Sequence, residues 1–346
     1  MGVFSSGGVG LDLGSANVTI CLENEGIVLR EPSYVLTLRD DRNEVLAVGR
    51  DARQMLGRTP KDVALLSPVA DGAVADVELS TLLMTTLSEK ALGRRRPLER
   101  NRLVVSASLG ATRVEQNALS AAVHAAGAKR AYTLRSAVAA ATGAGIPFAE
   151  PKGVMIVLIG GSTTEVAVLS MNGIAAARTV RTGSLAFDEA IIRHIRREKG
   201  LIIGQRTAED LKIDLGSAKD IGFVENEEVS LRGRDARSGK PATVSVTARD
   251  IHNAIMPCVD MMVENIREAF ENTPEELACD ILERGIYLSG GGALLDGLNK
   301  KLGDTLGIAV TVSATPQDDV ARGLCMTASD DRLAQNLMQT GCMNEV

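Results

Sequence analysis

The chain has 346 residues, with 38 Lys and Arg against 44 Asp and Glu and a formal net charge of −6. That length holds two or more domains with real cores, while the acidic balance, an aromatic content of 2% and the lack of Trp exclude a general nucleic-acid binder, which needs basic excess and stacking platforms. The 5 scattered cysteines without C-x-x-C spacing and the 3 distant histidines speak against disulfides and zinc, and with no apolar run near the ~20 residues of a membrane span and no secretory signal, the chain reads as soluble and cytoplasmic.

Short apolar strands at 9–13 and 18–22 flank GSAN (14–17), a hairpin by its turn chemistry. Further strands are expected at 27–29, 34–38 and 45–48, then a helix at 50–56 ended by GRTP (57–60) and a helix at 80–92. GRRRPLERNR (93–102) reads as a basic, solvated loop. A buried strand at 103–106 follows, then alanine-rich helices at 112–126, closed by Gly127, and at 136–144, ended by Gly-Ile-Pro.

The second half opens on VMIVLIGGSTTEVAVLS (154–170), where an apolar run breaks at Gly160-Gly161, three small hydroxyl residues follow, and alternation resumes at Val166 and Val168. A turn of glycine and hydroxyls suits the wrapping of backbone N–H groups around a phosphate. A nucleotide phosphate site usually also needs a carboxylate for the accompanying metal, and the strand entering this turn has Leu158 instead. Helices near 185–197 and 208–215, a polar strand pair near 229–246, a long helix at 250–272, a strand at 285–288 and a helix at 295–306 complete the pattern. Both halves begin alike, with a strand, a small-residue turn (LDLGSAN; LIGGSTTE) and a second strand. This weak internal repeat implies two similar α/β domains facing each other across a cleft, one turn on each side. No Walker loop is present, and no G-x-G-x-x-G opens a helix.

The order LDLGSAN, LIGGSTTE, AEDLK, LSGGGALL resembles the nucleotide-binding fold of actin and Hsp70, and more closely the bacterial actins of the rod-shape-determining MreB family, over about residues 8–328. GIVLREPSYV, VLAVGRDARQMLGRTP, GAVADVE and TPEELACDILERGIYLSGGGALLDGL carry the same likeness in order and spacing. The resemblance implies an α/β, actin-like ATPase fold: two similar RNase-H-like domains across a nucleotide cleft, each with a smaller subdomain. Residues 1–32, 76–145 and 320–346 would form the first large subdomain and 33–75 its small one; 146–180 and 250–319 would form the second large subdomain and 181–249 its small one.

The implied ligands are ATP and Mg²⁺. Asp12, at a strand end, is placed to orient metal-bound water. Gly14, Ser15, Ala16 and Asn17 supply backbone and short polar donors to phosphate oxygens, and Gly160, Gly161, Ser162 and Thr163 form the opposing clamp. Either turn alone is also what an ordinary hairpin requires; their pairing lifts both. Glu209 and Lys212 share one helix face and are placed by the resemblance at the ribose and base, although a lone pair so spaced reads as a solvated ion pair. Gly290, Gly291 and Gly292 with Ala293 leave a purine room against the backbone, and they equally suit a strand-to-helix turn with Leu294 and Leu298 as a core-facing stripe.

Two positions depart from the family pattern. Leu158 stands where the family carries an aspartate that holds magnesium water. RSAVAAATGAG matches a stretch beginning Glu-Glu-Pro, so Arg135 and Ser136 replace two acids, one of which positions the attacking water. Ser136 is no base at neutral pH without an activating partner, and none is adjacent. Losing a positioned base costs ~10²–10⁴ in rate, so ATP binding with slow or absent hydrolysis is expected and no catalytic residue is assigned.

The implied function is a cytoskeletal one: ATP-bound subunits polymerise into homopolymer filaments at the inner face of the cell membrane, determine cell shape and guide wall synthesis alongside inner-membrane cell-shape proteins. The alternatives are an accessory or scaffold copy that needs no turnover, a sugar or acetate kinase, and an Hsp70-type chaperone. Leu158 and Ser136 deprive a kinase of its acid, and a chaperone needs a further substrate-binding domain. For contact with an anionic membrane surface the candidates are Val3, Phe4 and Leu98, with Arg94, Arg95 and Arg96 attracting lipid at ~1 kcal/mol each.

Overall fold

The computed structural model describes residues 7–42, 44–95, 97–219, 222 and 228–346. Its strands assemble into two principal sheets of one plan. In the first, Gly8–Leu13, Asn17–Leu22 and Gly26–Pro32 form an antiparallel meander. Arg102–Ala107 and then Arg130–Arg135 extend it in parallel beyond the first strand, and Met343–Glu345 closes that edge. In the second, Val154–Ile159, Thr164–Ser170 and Gly173–Val180 repeat the meander, and Ile286–Ser289 and then Val310–Val312 repeat the parallel extension. The repeat legible in the two turn sequences is therefore a repeat of topology. Val154–Ile159 is buried at every position, as an unbroken apolar run covered on both faces should be.

Two helices lie between the sheets. Asp319–Ser329 packs on the first sheet and Ser136–Gly143 on the second, and the helices pack on each other. They cross where only glycine fits. A Cβ on Gly323 would sit 1.8 Å from the Ala139 carbonyl oxygen, and one on Gly143 1.9 Å from that of Asp319. The same closeness explains why helix Ser136–Gly143 is alanine-rich, since Ala137, Ala139, Ala140 and Ala141 are all fully buried. Val104 and Leu134 from one sheet meet Ile156, Leu158 and Ala167 from the other around Val320 and Leu324. The outer face of the first sheet is covered by Val77–Leu92 and Arg113–Ala125 over Leu11, Ile20 and Leu103. Ser184–Lys199 and Ala248–Glu271 cover the second over Val157 and Leu288. Each half also carries a small three-stranded sheet: Val45–Val48, Val35–Leu38 and Val63–Leu66 in one, and Leu201–Ile202, Glu228–Asp235 and Pro241–Thr247 in the other.

The expected helix at 112–126 is Arg113–Ala125, fixed by a capping box in which Thr112 and Glu115 exchange side-chain and backbone hydrogen bonds. The one expected at 295–306 starts at Leu298, after a 3₁₀ turn at Gly291–Leu294. Strands Val63–Leu66 and Arg130–Arg135 and helices Glu275–Arg284, Asp319–Ser329 and Asp331–Gln339 were not anticipated. The basic stretch 93–102 is not a plain solvated loop. Pro97–Glu99 forms a 3₁₀ turn that folds Leu98 into the core at 1% exposure, and Arg102 already begins a strand. Among the described residues, no helix is long and apolar enough to cross a membrane.

Candidate functional site

The first turn of each meander faces the other. In one, the Gly14 N–H donates to the Asn17 carbonyl (3.1 Å), and the Ser33 hydroxyl donates to the Gly14 carbonyl (2.5 Å). In the other, the Gly160 N–H donates to the Thr163 carbonyl (2.8 Å). The head of helix Ser184–Lys199 seats on this second turn, the N–H groups of Ser184 and Leu185 donating to the Gly160 and Gly161 carbonyls at 2.9 and 2.8 Å. The turns then touch. The Ser15 and Ser162 hydroxyls lie 2.6 Å apart, and a Cβ on Gly161 would meet that of Ala16 at 3.0 Å. A hairpin tip joins them, the Gly72 N–H donating to Ser162 Oγ at 3.1 Å from a left-handed backbone (φ +75°) that favours glycine.

Beside the turns lies a cleft of about 440 Å³. Its walls include Asp12, Gly14, Ser15, Ala16, Asn17, Gly160, Gly161, Ser162, Thr163, Glu209, Lys212, Gly290, Gly291 and Gly292, so both turns and the expected ribose and base positions share one cavity. Ala293 does not belong to it. The 3₁₀ turn rotates Ala293 into the core at 2% exposure and swings Leu294 outward at 55%, so of the expected core stripe only Leu298 is buried. Leu294 and the exposed Ile213 instead give the cleft an apolar wall beside the glycines, a slot suited to a flat ring.

The charges are held in place. Ser106 Oγ donates to Asp12 Oδ1 at 2.7 Å. Burial pushes the Asp12 carboxyl up to about 6 against that hydrogen bond, and the nearby Glu165 carboxyl adds to the rise. Lys212 Nζ sits 2.8 Å from Asp188, a fully buried acid raised to about 6 by burial although Lys212 opposes the shift. Glu209 pairs with Arg53, which reaches it from the other half of the molecule. Glu209 and Lys212 thus face the cleft but already have protein partners, an arrangement their spacing alone did not reveal. Among the described residues no group of three or more His, Cys, Asp or Glu is able to hold a metal. An Mg²⁺ that draws most of its ligands from phosphate and water fits Asp12, and that residue would hold it through water.

Leu158 lies at the cleft edge with 8% exposure and offers no oxygen. Ser136, by contrast, has the partner its sequence neighbours lack. Its hydroxyl donates to Glu165 Oε2 at 2.6 Å, across the boundary between the halves. Glu165 lines the same cleft, is 2% exposed, and is raised by burial against hydrogen bonds from Ser108, Ser136 and the Leu109 N–H. Arg135 turns toward the Ser108 carbonyl, 3.0 Å away. Of the expected membrane residues, Leu98 is excluded by its burial, Arg94 and Arg95 lie outside the cleft lining, and Val3, Phe4 and Arg96 fall outside the described residues.

Two sheets of one topology, with paired phosphate-type turns closing on a cleft between them, define the actin-like ATPase fold. The sequence profile of the MreB/Mbl protein family matches residues 6–336. The cell shape-determining protein MreB of Escherichia coli (strain K12) is 41% identical over 326 residues, 93% of each chain. The cell shape-determining protein Mbl of Bacillus subtilis (strain 168) is 39% identical over 315 residues, 91% of this chain and 93% of its own. Among solved structures, MreB 5 of Spiroplasma citri bound to AMPPNP superposes with a TM-score of 0.88 at 29% identity, covering 96% of this chain and 98% of that one. The chain belongs to the MreB/Mbl family of bacterial actins.

Proposed function

We propose that this chain binds ATP with Mg²⁺ in the cleft, polymerises into filaments, and acts through them on cell shape at the inner face of the cell membrane. In that role it guides wall synthesis together with inner-membrane cell-shape proteins, and its ATP turnover is slow. The observation that carries this reading is the meeting of the two turns, Ser15 against Ser162 at 2.6 Å, beside a cavity that also holds Asp12 and a slot walled by Ile213, Leu294 and glycine. Phosphates fit the turns, where short polar groups and backbone converge, and a purine fits the slot. The similar MreB 5 of Spiroplasma citri was crystallised with AMPPNP and with ADP. Slow turnover rests on Leu158, an apolar side chain lining the cleft where the family resemblance implies an acid that holds metal-bound water.

Sedimentation and electron microscopy with ATP, Mg²⁺ and anionic liposomes test the reading. Filaments are expected, more readily on the liposomes, and replacing Phe4, Arg94, Arg95 and Arg96 with Ala is expected to release the protein from lipid at moderate salt. A protein that stays monomeric with nucleotide and lipid contradicts it. The buried Leu158 also favours a second reading, a scaffold that binds nucleotide without turning it over. Filaments formed with no phosphate release at all would single that one out.

A further inference from the structure

Glu165 lines the cleft in surroundings that suit it to proton transfer. It stands directly opposite Leu158 in the antiparallel register of the second hairpin, so the two side chains emerge side by side on one face of the sheet. Its carboxylate accepts the Ser136 hydroxyl at 2.6 Å from the first residue of helix Ser136–Gly143. Ser108 and the Leu109 N–H hold it from the loop after Arg102–Ala107. Three donors from the opposite half therefore fix one acid that lines the cleft yet is 2% exposed. Asp12, another acid lining the cleft, is tied to Ser106 on the first sheet and suits the metal-water role.

We propose that Glu165 is the base of this chain's ATP turnover, holding the attacking water and taking its proton, with Ser136 as the residue that positions it. The inference rests on the nucleotide reading of the cleft. As the water oxygen bonds to the terminal phosphorus, Glu165 accepts the proton that the water loses. The bond from that phosphorus to the bridging oxygen breaks, and its electron pair leaves with ADP. Hydrogen phosphate and ADP are the products, and Glu165 returns its proton to solvent. Burial raises the affinity of Glu165 for a proton, which makes its carboxylate a stronger base than an exposed one. Such a base depends on being held still, and the Ser136 hydroxyl restrains it at 2.6 Å.

The test compares wild type, Glu165→Gln, Glu165→Asp and Ser136→Ala in single-turnover phosphate release. In parallel, affinity for a fluorescent ATP analogue and melting temperature with and without ATP and Mg²⁺ are measured. Glu165→Gln is expected to slow release ~10²-fold or more. Its nucleotide affinity and nucleotide-induced rise in melting temperature should stay within about threefold and a few degrees of wild type, a split that a merely structural residue does not give. Ser136→Ala is expected to slow release about tenfold at unchanged affinity, and Glu165→Asp to recover part of the Gln loss. Wild-type rates in Glu165→Gln overturn the proposal, as does a wild type that binds ATP but releases phosphate no faster than solution. If Glu165→Gln does not fold, wild-type rates in both remaining variants overturn it. A wild type that binds no nucleotide defeats the nucleotide reading itself, and the inference with it.

Discussion

Leu158 is where a single side chain most changes what the cleft does. It is 8% exposed, its neighbours are the apolar residues packed between the sheets, and its cross-strand partner is Glu165. Replacing it with Asp loses a buried leucine, worth ~1.5–3 kcal/mol, and sets a second carboxylate beside the buried Glu165. Leu158→Asp is therefore expected to lower the unfolding free energy without nucleotide by about 2–4 kcal/mol. Adding ATP and Mg²⁺ should recover more stability in the variant than in wild type, because the new carboxylate then has a charged partner. Urea unfolding with and without the nucleotide checks this, and equal recovery in both proteins counts against a metal near Leu158. Adding Ser136→Glu as well crowds another acid against Glu165, which Ser136 Oγ already touches at 2.6 Å, and removes the hydroxyl that holds it. The sequence disclosed the two substituted positions but not this third one. Glu165 sits in TEVAVLS, a run of core alternation, and only the hairpin register and the packing of the Ser136 helix turn it toward the cleft. Leu98 misled for the opposite reason. A leucine among arginines reads as exposed, yet the 3₁₀ turn at Pro97–Glu99 points it inward.

At the scale of elements, the two helices between the sheets determine how the halves meet. Gly323 and Gly143 let them cross in backbone contact, and the crossing sets the start of the Ser136 helix against Glu165. Gly323→Ala forces a methyl to 1.8 Å from the Ala139 carbonyl oxygen, where neither backbone is free to yield. The expected cost is about 1–3 kcal/mol or more, read by thermal or chemical unfolding, and a change under about 0.5 kcal/mol contradicts this account of the crossing. One of these helices was legible and the other was not. SAVAAATG is a helix by composition, whereas DVARGLCMTAS mixes glycine, threonine and small residues, and what makes it helical is the pair of surfaces it lies between. Strand Arg130–Arg135 was hidden in the same way. RAYTLR carries arginine at both ends and little apolar character, and its place comes from pairing with Arg102–Ala107 and Met343–Glu345. The two hairpins were plain because glycine and short hydroxyl residues between apolar strands specify a turn locally.

Across the whole molecule, the halves are joined at the helix crossing and by polar contacts, several of them at the cleft. Ser15 meets Ser162, Ser136 meets Glu165, Arg53 pairs with Glu209, and Arg181 pairs with Glu115 at 2.7 Å. Each joins segments far apart in sequence, so none was readable from spacing, although the internal repeat had already implied two facing halves. A ligand that enters between the turns touches both halves at once and stabilises the whole chain by binding it and not the unfolded form. The most direct test is the unfolding free energy with and without ATP and Mg²⁺, for wild type and for Gly161→Val, whose side chain meets Ala16 where a Cβ alone already lies 3.0 Å away. Wild type is expected to gain about 2.7 kcal/mol at a nucleotide concentration a hundredfold above its Kd, and Gly161→Val, folded but with its turns wedged apart, to gain far less. No gain for wild type at millimolar nucleotide, or an equal gain for the variant, would contradict the claim that the paired turns hold the phosphates.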